Sequence, residues 1–193
     1  MVRGISAANA LRDHRSSPSQ AALMYEADMS IQILLASLET RGHFAEILNE
    51  ARAWQKSTGS EGWNYPFNDA WILPRIERRE LFLAYADDEP VAAFRLLWED
   101  RPYWGDREIG DSLYLHTFAV RRSKAGLGIG EAVIENVVAM GRERGRAKVR
   151  LDCSLSSARL IAYYERNRFV SVGNILTNGK MMNLMERAIL HEP

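Results

Sequence analysis

The sequence predicts an α/β domain whose elements follow the order β-α-α-β-β-β-α-β-α-β-β. Three observations predict it. Short apolar runs recur at strand length, longer segments carry apolar residues at i, i+3 and i+4, and a turn with three alternate glycines, Gly126, Gly128 and Gly130, joins an apolar strand to an amphipathic helix. At 193 residues, 47% of them hydrophobic, the chain has the length of one ordinary domain and enough apolar content for a single core.

Residues 1–29 read as an extension ahead of a single domain covering 30–193. The extension carries Arg3, Arg12 and Arg15 with few acids, and Ser16-Ser17-Pro18-Ser19 makes a linker-like break. It is expected to be a poorly ordered tail or an oligomer contact in a homodimer, with a transit peptide as the alternative. Residues 31–35 form a first strand. A helix over 40–56 presents Phe44, Ile47, Leu48, Ala51 and Trp54 on one stripe, and Gly59 can end it. A second helix over 68–79 has Asn68 or Asp69 as its cap.

Strands over 81–86 and 91–98 flank the turn Asp87-Asp88-Glu89-Pro90, which makes them antiparallel. Residues 99–111 form a polar, aromatic loop. In the strand over 113–120, alternation sets Leu113, Leu115 and Thr117 on one face and Tyr114, His116 and Phe118 on the other. The helix over 128–144 buries Val133, Val137 and Met140, carries Arg142 and Arg144 in its last turn and stops before Gly145. A strand over 148–153 and a helix over 157–167 follow, and Asn178-Gly179 closes a hairpin between 169–176 and 181–189.

The glycine turn carries the functional signal. Glycines at alternate positions let successive N–H groups line one concavity, and the helix behind them adds unpaired N–H groups and partial positive charge. An anion such as a pyrophosphate fits there. The P-loop pattern fails because Gly130 is followed by Glu131 and Ala132 where Lys and Ser/Thr are needed. The dinucleotide fingerprint fails on spacing, since this turn reads G-x-G-x-G and too little chain follows it for a doubly wound domain. A merely flexible turn is the plain alternative.

The stretch from Val120 to Glu131 resembles motif A of the GCN5-related N-acetyltransferases (GNAT), in which Gln/Arg-x-x-Gly-x-Gly/Ala follows a strand ending in valine. Gly128 and Gly130 match its glycines, and Ala125 stands where the family has Gln or Arg. Downstream, the run from Ser157 to Phe169 resembles motif B, with Tyr164, Glu165 and Phe169 in register, Ser157 in place of Asn and Arg168 in place of Gly. Asn167 could supply the left-handed turn in glycine's stead. The resemblance spans about 30–190 and is strongest over 112–173.

The resemblance implies the GNAT fold, a mixed, mostly antiparallel central sheet of about seven strands flanked by about four helices. It implies acetyl-CoA as cosubstrate, no metal, and direct transfer to a primary amine of a small molecule. A non-catalytic acyl-CoA-binding module of the same fold is the alternative. On this reading the cofactor is held by Phe118, Ala119, Val120, Arg121, Arg122, Ala125, Gly126, Leu127, Gly128, Ile129, Gly130, Glu131, Ser157 and Tyr164, with Arg121, Arg122 and Lys124 making up charge lost at Ala125.

Aminolysis of a thioester needs a neutral amine, a donor for the oxyanion and an acid for the departing thiolate. The resemblance implies the Phe118 N–H as that donor and Tyr164 as the acid. His116 is the side-chain candidate for the base, with a water wire as the alternative. Trp63, Tyr114 and Trp104 are candidate acceptor contacts, with Phe67, Trp98 and Tyr103 as further aromatics and Glu99, Asp100, Asp106 and Asp111 as acids that could draw a cation.

Composition narrows the partners. Lys plus Arg equals Asp plus Glu at 25 each, so no charge excess marks a nucleic-acid partner. Neither a bilayer-length apolar run nor a secretory signal is expected, and the lone Cys153 suits a reducing, cytoplasmic setting as a buried thiol, not a nucleophile.

Overall fold

The computed structural model describes residues 30–60 and 62–190; the extension expected over 1–29 lies outside the described residues. Seven strands, β1 (Gln32–Leu35), β2 (Leu81–Ala86), β3 (Glu89–Leu97), β4 (Ser112–Val120), β5 (Lys148–Ser154), β6 (Val170–Thr177) and β7 (Lys180–Ala188), form one sheet in the order β1-β2-β3-β4-β5-β7-β6. Only β4 and β5 pair in parallel; the other neighbours are antiparallel. The helices are α1 (Arg41–Ser57), α2 (Asp69–Glu77), the single turn α3 (Arg101–Trp104), α4 (Ile129–Glu143) and α5 (Ala158–Arg166).

Helix pattern decides the layers. The stripe Phe44, Ile47, Leu48 and Ala51 of α1 is buried with Ile72 of α2 against Leu81, Leu83, Ala93 and Ala119 on one face of the sheet. On the opposite face, Ile129, Val133, Ile134, Val137 and Val138 of α4 and Tyr164 of α5 pack on Phe94, Leu113, Leu115, Val149 and Leu151. Loss of water from these two apolar faces is what holds three layers together. A third cluster, Trp104, Tyr114 and Leu184, fixes α3 beneath the far end of β4.

Local chemistry sets the ends. The Asn68 side chain accepts the Trp71 N–H at 3.2 Å, so Asn68, not Asp69, caps α2. That helix stops at Glu77, earlier than expected: Pro74 removes one internal N–H donor, and Arg79 turns left-handed at φ +57°. Two-residue turns with both φ values positive, Asp87-Asp88 and Asn178-Gly179, close the hairpins β2–β3 and β6–β7. The first draws Glu89 and Pro90 into β3, where a looser four-residue turn was expected.

Two expectations are corrected. The left-handed residue after α5 is Arg168 (φ +65°), while Asn167 keeps φ −87° and donates its side-chain amide to the Tyr163 carbonyl at 2.9 Å. The reason is position: Asn167 is the helix cap, and the reversal falls one residue later. The second correction concerns β4. Ala93 pairs with Ala119 but Arg95 with His116, so three residue steps on β4 oppose two on β3, and Thr117 sits in the bulge at φ +50°. The bulge reverses the alternation beyond it. Phe118 therefore joins Leu113 and Leu115 on the α4 face, meeting Phe94 edge-on at 6.2 Å, and does not share a face with His116.

A left-handed arginine is strained relative to glycine. Arg168→Gly is expected to stabilise the domain by about 1 kcal/mol and Arg168→Val to destabilise it by about as much, because branching at Cβ worsens the clash. Urea-denaturation midpoints measure both, and coincident midpoints for all three proteins would contradict the strained turn.

Candidate active site

β4 and β5 stay together only over Ser112↔Lys148, Leu113↔Val149 and Tyr114↔Arg150, and beyond that last rung the two strands share no pairing. The parting is built into the side chains. Arg150 is buried at the rung, with Nη1 donating to the Tyr114 hydroxyl at 3.2 Å and to the Arg107 carbonyl at 2.9 Å, Nε donating to Glu186 at 3.2 Å, and the guanidinium lying 4.4 Å over the Trp104 ring. One rung further on, His116 of β4 and Asp152 of β5 face each other across the gap.

His116 is held at both ring nitrogens. Nε2 lies 3.1 Å from Asp100 Oδ2 and Nδ1 lies 3.3 Å from Asp152 Oδ1. Burial alone would lower its pKa, but the hydrogen bonds and charges of Asp100 and Asp152 outweigh that and raise it to about 9. The ring is thus an imidazolium at neutral pH. Arg95 is its cross-strand partner on β3, itself paired with Glu80 at 2.8 Å, and the Tyr103 ring is 5.7 Å away. Both nitrogens being engaged and charged, His116 does not present the free lone pair expected of a general base.

The glycine turn has the form its sequence implies. Gly126 (φ +80°) and Gly128 (φ +75°) are left-handed, Gly128 caps α4, and Gly130 lies in the first helical turn. The helix start leaves N–H groups with no intrahelical partner, a donor set suited to a pyrophosphate. The cations expected to reinforce it point elsewhere. Arg121 makes two hydrogen bonds to Glu46 of α1, at 3.1 and 3.0 Å, Lys124 pairs with Glu89 at 2.7 Å, and Arg122 stacks 4.1 Å over Trp54. Acidic and aromatic neighbours on α1 and β3 fasten the turn to the sheet through these side chains, so its grip on an anion rests on the backbone.

Tyr164 is buried against Tyr163 and Phe169, with ring centroids 5.4 and 5.7 Å away. Burial raises its phenol well above the ordinary range, helped by nearby Tyr163, Cys153 and Asp152, so it remains a proton donor at any physiological pH. Ser157 caps α5 through its backbone, and its side chain makes no capping bond. Cys153 is buried, and burial together with Asp152 pushes its thiol up to about 11, which keeps it from acting as a thiolate.

The expected acceptor residues divide. Tyr114 is fully buried, its hydroxyl bonded to Arg150 and its pKa pushed up to about 12 by burial and by Glu108. Trp104 is 3% exposed beneath it. Both are core residues, because α3 lays Trp104 against Tyr114 and Leu184. Phe67 is buried as well, whereas half-buried Trp63 packs edge-on against it at 5.1 Å. Trp98 lies under Arg144 and Arg146, 5.0 and 5.4 Å away. Of the acids, Asp100 meets His116 and Asp111 lies 3.7 Å from Arg150, while Glu99 and Asp106 are exposed. Asp152, which carries no motif signal in the sequence, is brought beside His116 through the parallel register of β4 and β5. Among the described residues no cluster is arranged to hold a metal ion.

A family model described as Acetyltransferase (GNAT) family matches residues 45–169. The chain belongs to that family. It is 31% identical over 137 residues, 66% of this chain and 74% of the relative, to the uncharacterized N-acetyltransferase YesJ of Bacillus subtilis (strain 168). Among solved structures, a GNAT-family acetyltransferase from Listeria monocytogenes 4b F2365 superposes with a TM-score of 0.69 at 23% identity, covering 82% of this chain and 94% of that one. The ribosomal-protein-S18-alanine N-acetyltransferase of Escherichia coli gives 0.61 at 16%, covering 85% and 97%. The aminoglycoside acetyltransferase AAC(6')-Ib, in complex with coenzyme A and kanamycin, gives 0.67 at 18%, covering 82% and 95%. The GNAT protein described here is an N-acetyltransferase, and acetyl-CoA is its cosubstrate.

The His116 clamp sets a pH dependence of stability. Its folded pKa of about 9 exceeds the reference 6.5, so its contribution is fully present below pH 6.5 and is lost as pH rises through 9. Wild-type urea midpoints are expected to fall across that window more steeply than those of Asp100→Asn, which removes one carboxylate. Parallel curves would contradict the clamp.

Proposed function

We propose that this GNAT protein transfers the acetyl group directly from acetyl-CoA to a primary amine of a small molecule, in a ternary complex and with no covalent enzyme intermediate. The observation that carries this reading is the parting of β4 and β5 after Tyr114↔Arg150, with the glycine turn at one end and Tyr164 beside it. Acetyl-CoA, when bound, supplies the thioester carbonyl that the amine attacks. The Phe118 N–H, one residue past the bulge on the stretch of β4 that has no β5 partner, is the donor for the carbonyl oxygen as its charge develops. Tyr164 gives its phenolic proton to the departing sulfur, a role its raised pKa suits. The buried, protonated thiol of Cys153 agrees with direct transfer.

His116 acts as a positioning residue. As an imidazolium between two carboxylates it holds Asp152 in place beside the gap, and the amine proton leaves by way of Asp152 and solvent. The acceptor approaches from the face that carries His116, Asp152 and Tyr103, where a net negative cluster favours a cationic amine. The likeness in fold to an aminoglycoside acetyltransferase solved with kanamycin supports a small polyamine-like acceptor.

Release of free CoA thiol across a panel of small primary amines tests the reading; CoA binding without thiol release for any amine would overturn it. Tyr164→Phe is expected to lower kcat on the order of 100-fold. An unchanged kcat at every pH would remove Tyr164 from the acid role. In the pH profile of kcat/KM, a clamped His116 gives no break near 6.5 and a break near 9. A break near 6.5 would restore His116 as a free base.

A further inference from the structure

Tyr163 stands at a position that the motif B match leaves unspecified, yet it reaches the glycine turn. Its hydroxyl lies 2.3 Å from where a Cβ on Gly130 would stand, with Val120 Cγ2 3.8 Å from that same point. Cβ bonds tilt toward a helix N-terminus, so this point lies on the N-terminal flank of the first turn of α4, beside the end of β4. Only glycine leaves room there for the phenol. Among the described residues the Tyr163 hydroxyl has no hydrogen-bond partner. The half-buried O–H is not sealed from solvent, so it is free to exchange water for a ligand oxygen.

A second observation points the same way. Position 125 is alanine, and the neighbouring cations are directed to Glu46, Glu89 and Trp54, so the turn itself brings no side-chain donor to the anion. We infer that Tyr163 is a cofactor-binding residue of this site: its phenol donates a hydrogen bond to the pyrophosphate of acyl-CoA at the start of α4, replacing the side-chain donor missing at Ala125. The inference rests on the acetyl-CoA reading of the site. Burial, with Glu131 adding to it, raises the phenol well above the ordinary range, so the donor stays protonated wherever the enzyme works.

Calorimetric titration with CoA tests it. Tyr163→Phe is expected to weaken CoA binding on the order of tenfold, the effect of one hydrogen bond to a charged group. Pantetheine, which lacks the pyrophosphate, should inhibit both proteins equally. KM for acetyl-CoA should rise with kcat held, and adding Ala125→Gln to Tyr163→Phe should recover most of the affinity. A packing control comes from Gly130→Ala, which should lower thermal stability in the wild type and do so much less beside Tyr163→Phe. Equal CoA affinity of wild type and Tyr163→Phe, or an equal loss for pantetheine, would overturn the assignment of Tyr163 alone. A wild-type protein without CoA affinity would overturn the acetyl-CoA reading together with it.

Discussion

The last rung between β4 and β5 is the constraint on which the site depends. A parallel pair gains a ladder of backbone hydrogen bonds by continuing, so a pair that stops after three rungs must be held apart. Arg150 closes the paired end, where its guanidinium is fully engaged by Tyr114, Arg107 and Glu186 under Trp104. Past it, the imidazolium of His116 joins Asp152 across the gap and Asp100 beneath. The two strands are thus bonded through charged side chains where their backbones part. Past that rung β4 has no β5 partner, and the glycine turn follows on the same strand.

The bulge at Thr117 contributes a second element of the same arrangement. By inserting one residue it turns Phe118 toward the α4 core while His116 stays on the opposite face. One strand thereby serves two sides of the sheet. The same separation explains why His116 belongs to a charge network with Asp100 and Asp152 while Phe118 packs against the α4 core.

Much of this was legible in the chain. Helix stripes, hairpin turns and the glycine pattern are local signals, so seven strands, the four longer helices and the left-handed glycine turn ahead of α4 could be read directly. The one-turn helix α3 could not, since four residues show no periodicity; its Pro102 and Trp104 read only as loop. The face of Phe118 was misread because an alternation rule has no way to register an inserted residue with no glycine to mark it. Tyr163 was passed over because its position in motif B carries no signal of its own; only the approach of α5 to α4 brings its hydroxyl to Gly130.

Periodicity alone determined the order of the elements, and the spacing of two motifs carried the resemblance that implies an acyl-CoA-dependent acetyltransferase with a glycine turn suited to an anion. Those features depend on residues close in sequence, where φ/ψ preference and side-chain period act directly. Tertiary structure decided what each ionisable group does. His116 became a charged clamp because strand register brought Asp152 to one nitrogen and the chain ahead of α3 brought Asp100 to the other. Tyr114 and Trp104 became core residues because α3 brings Trp104 onto Tyr114 and Leu184. Protonation and burial are set by neighbours distant along the chain, and the sequence states which residues exist without stating which ones meet.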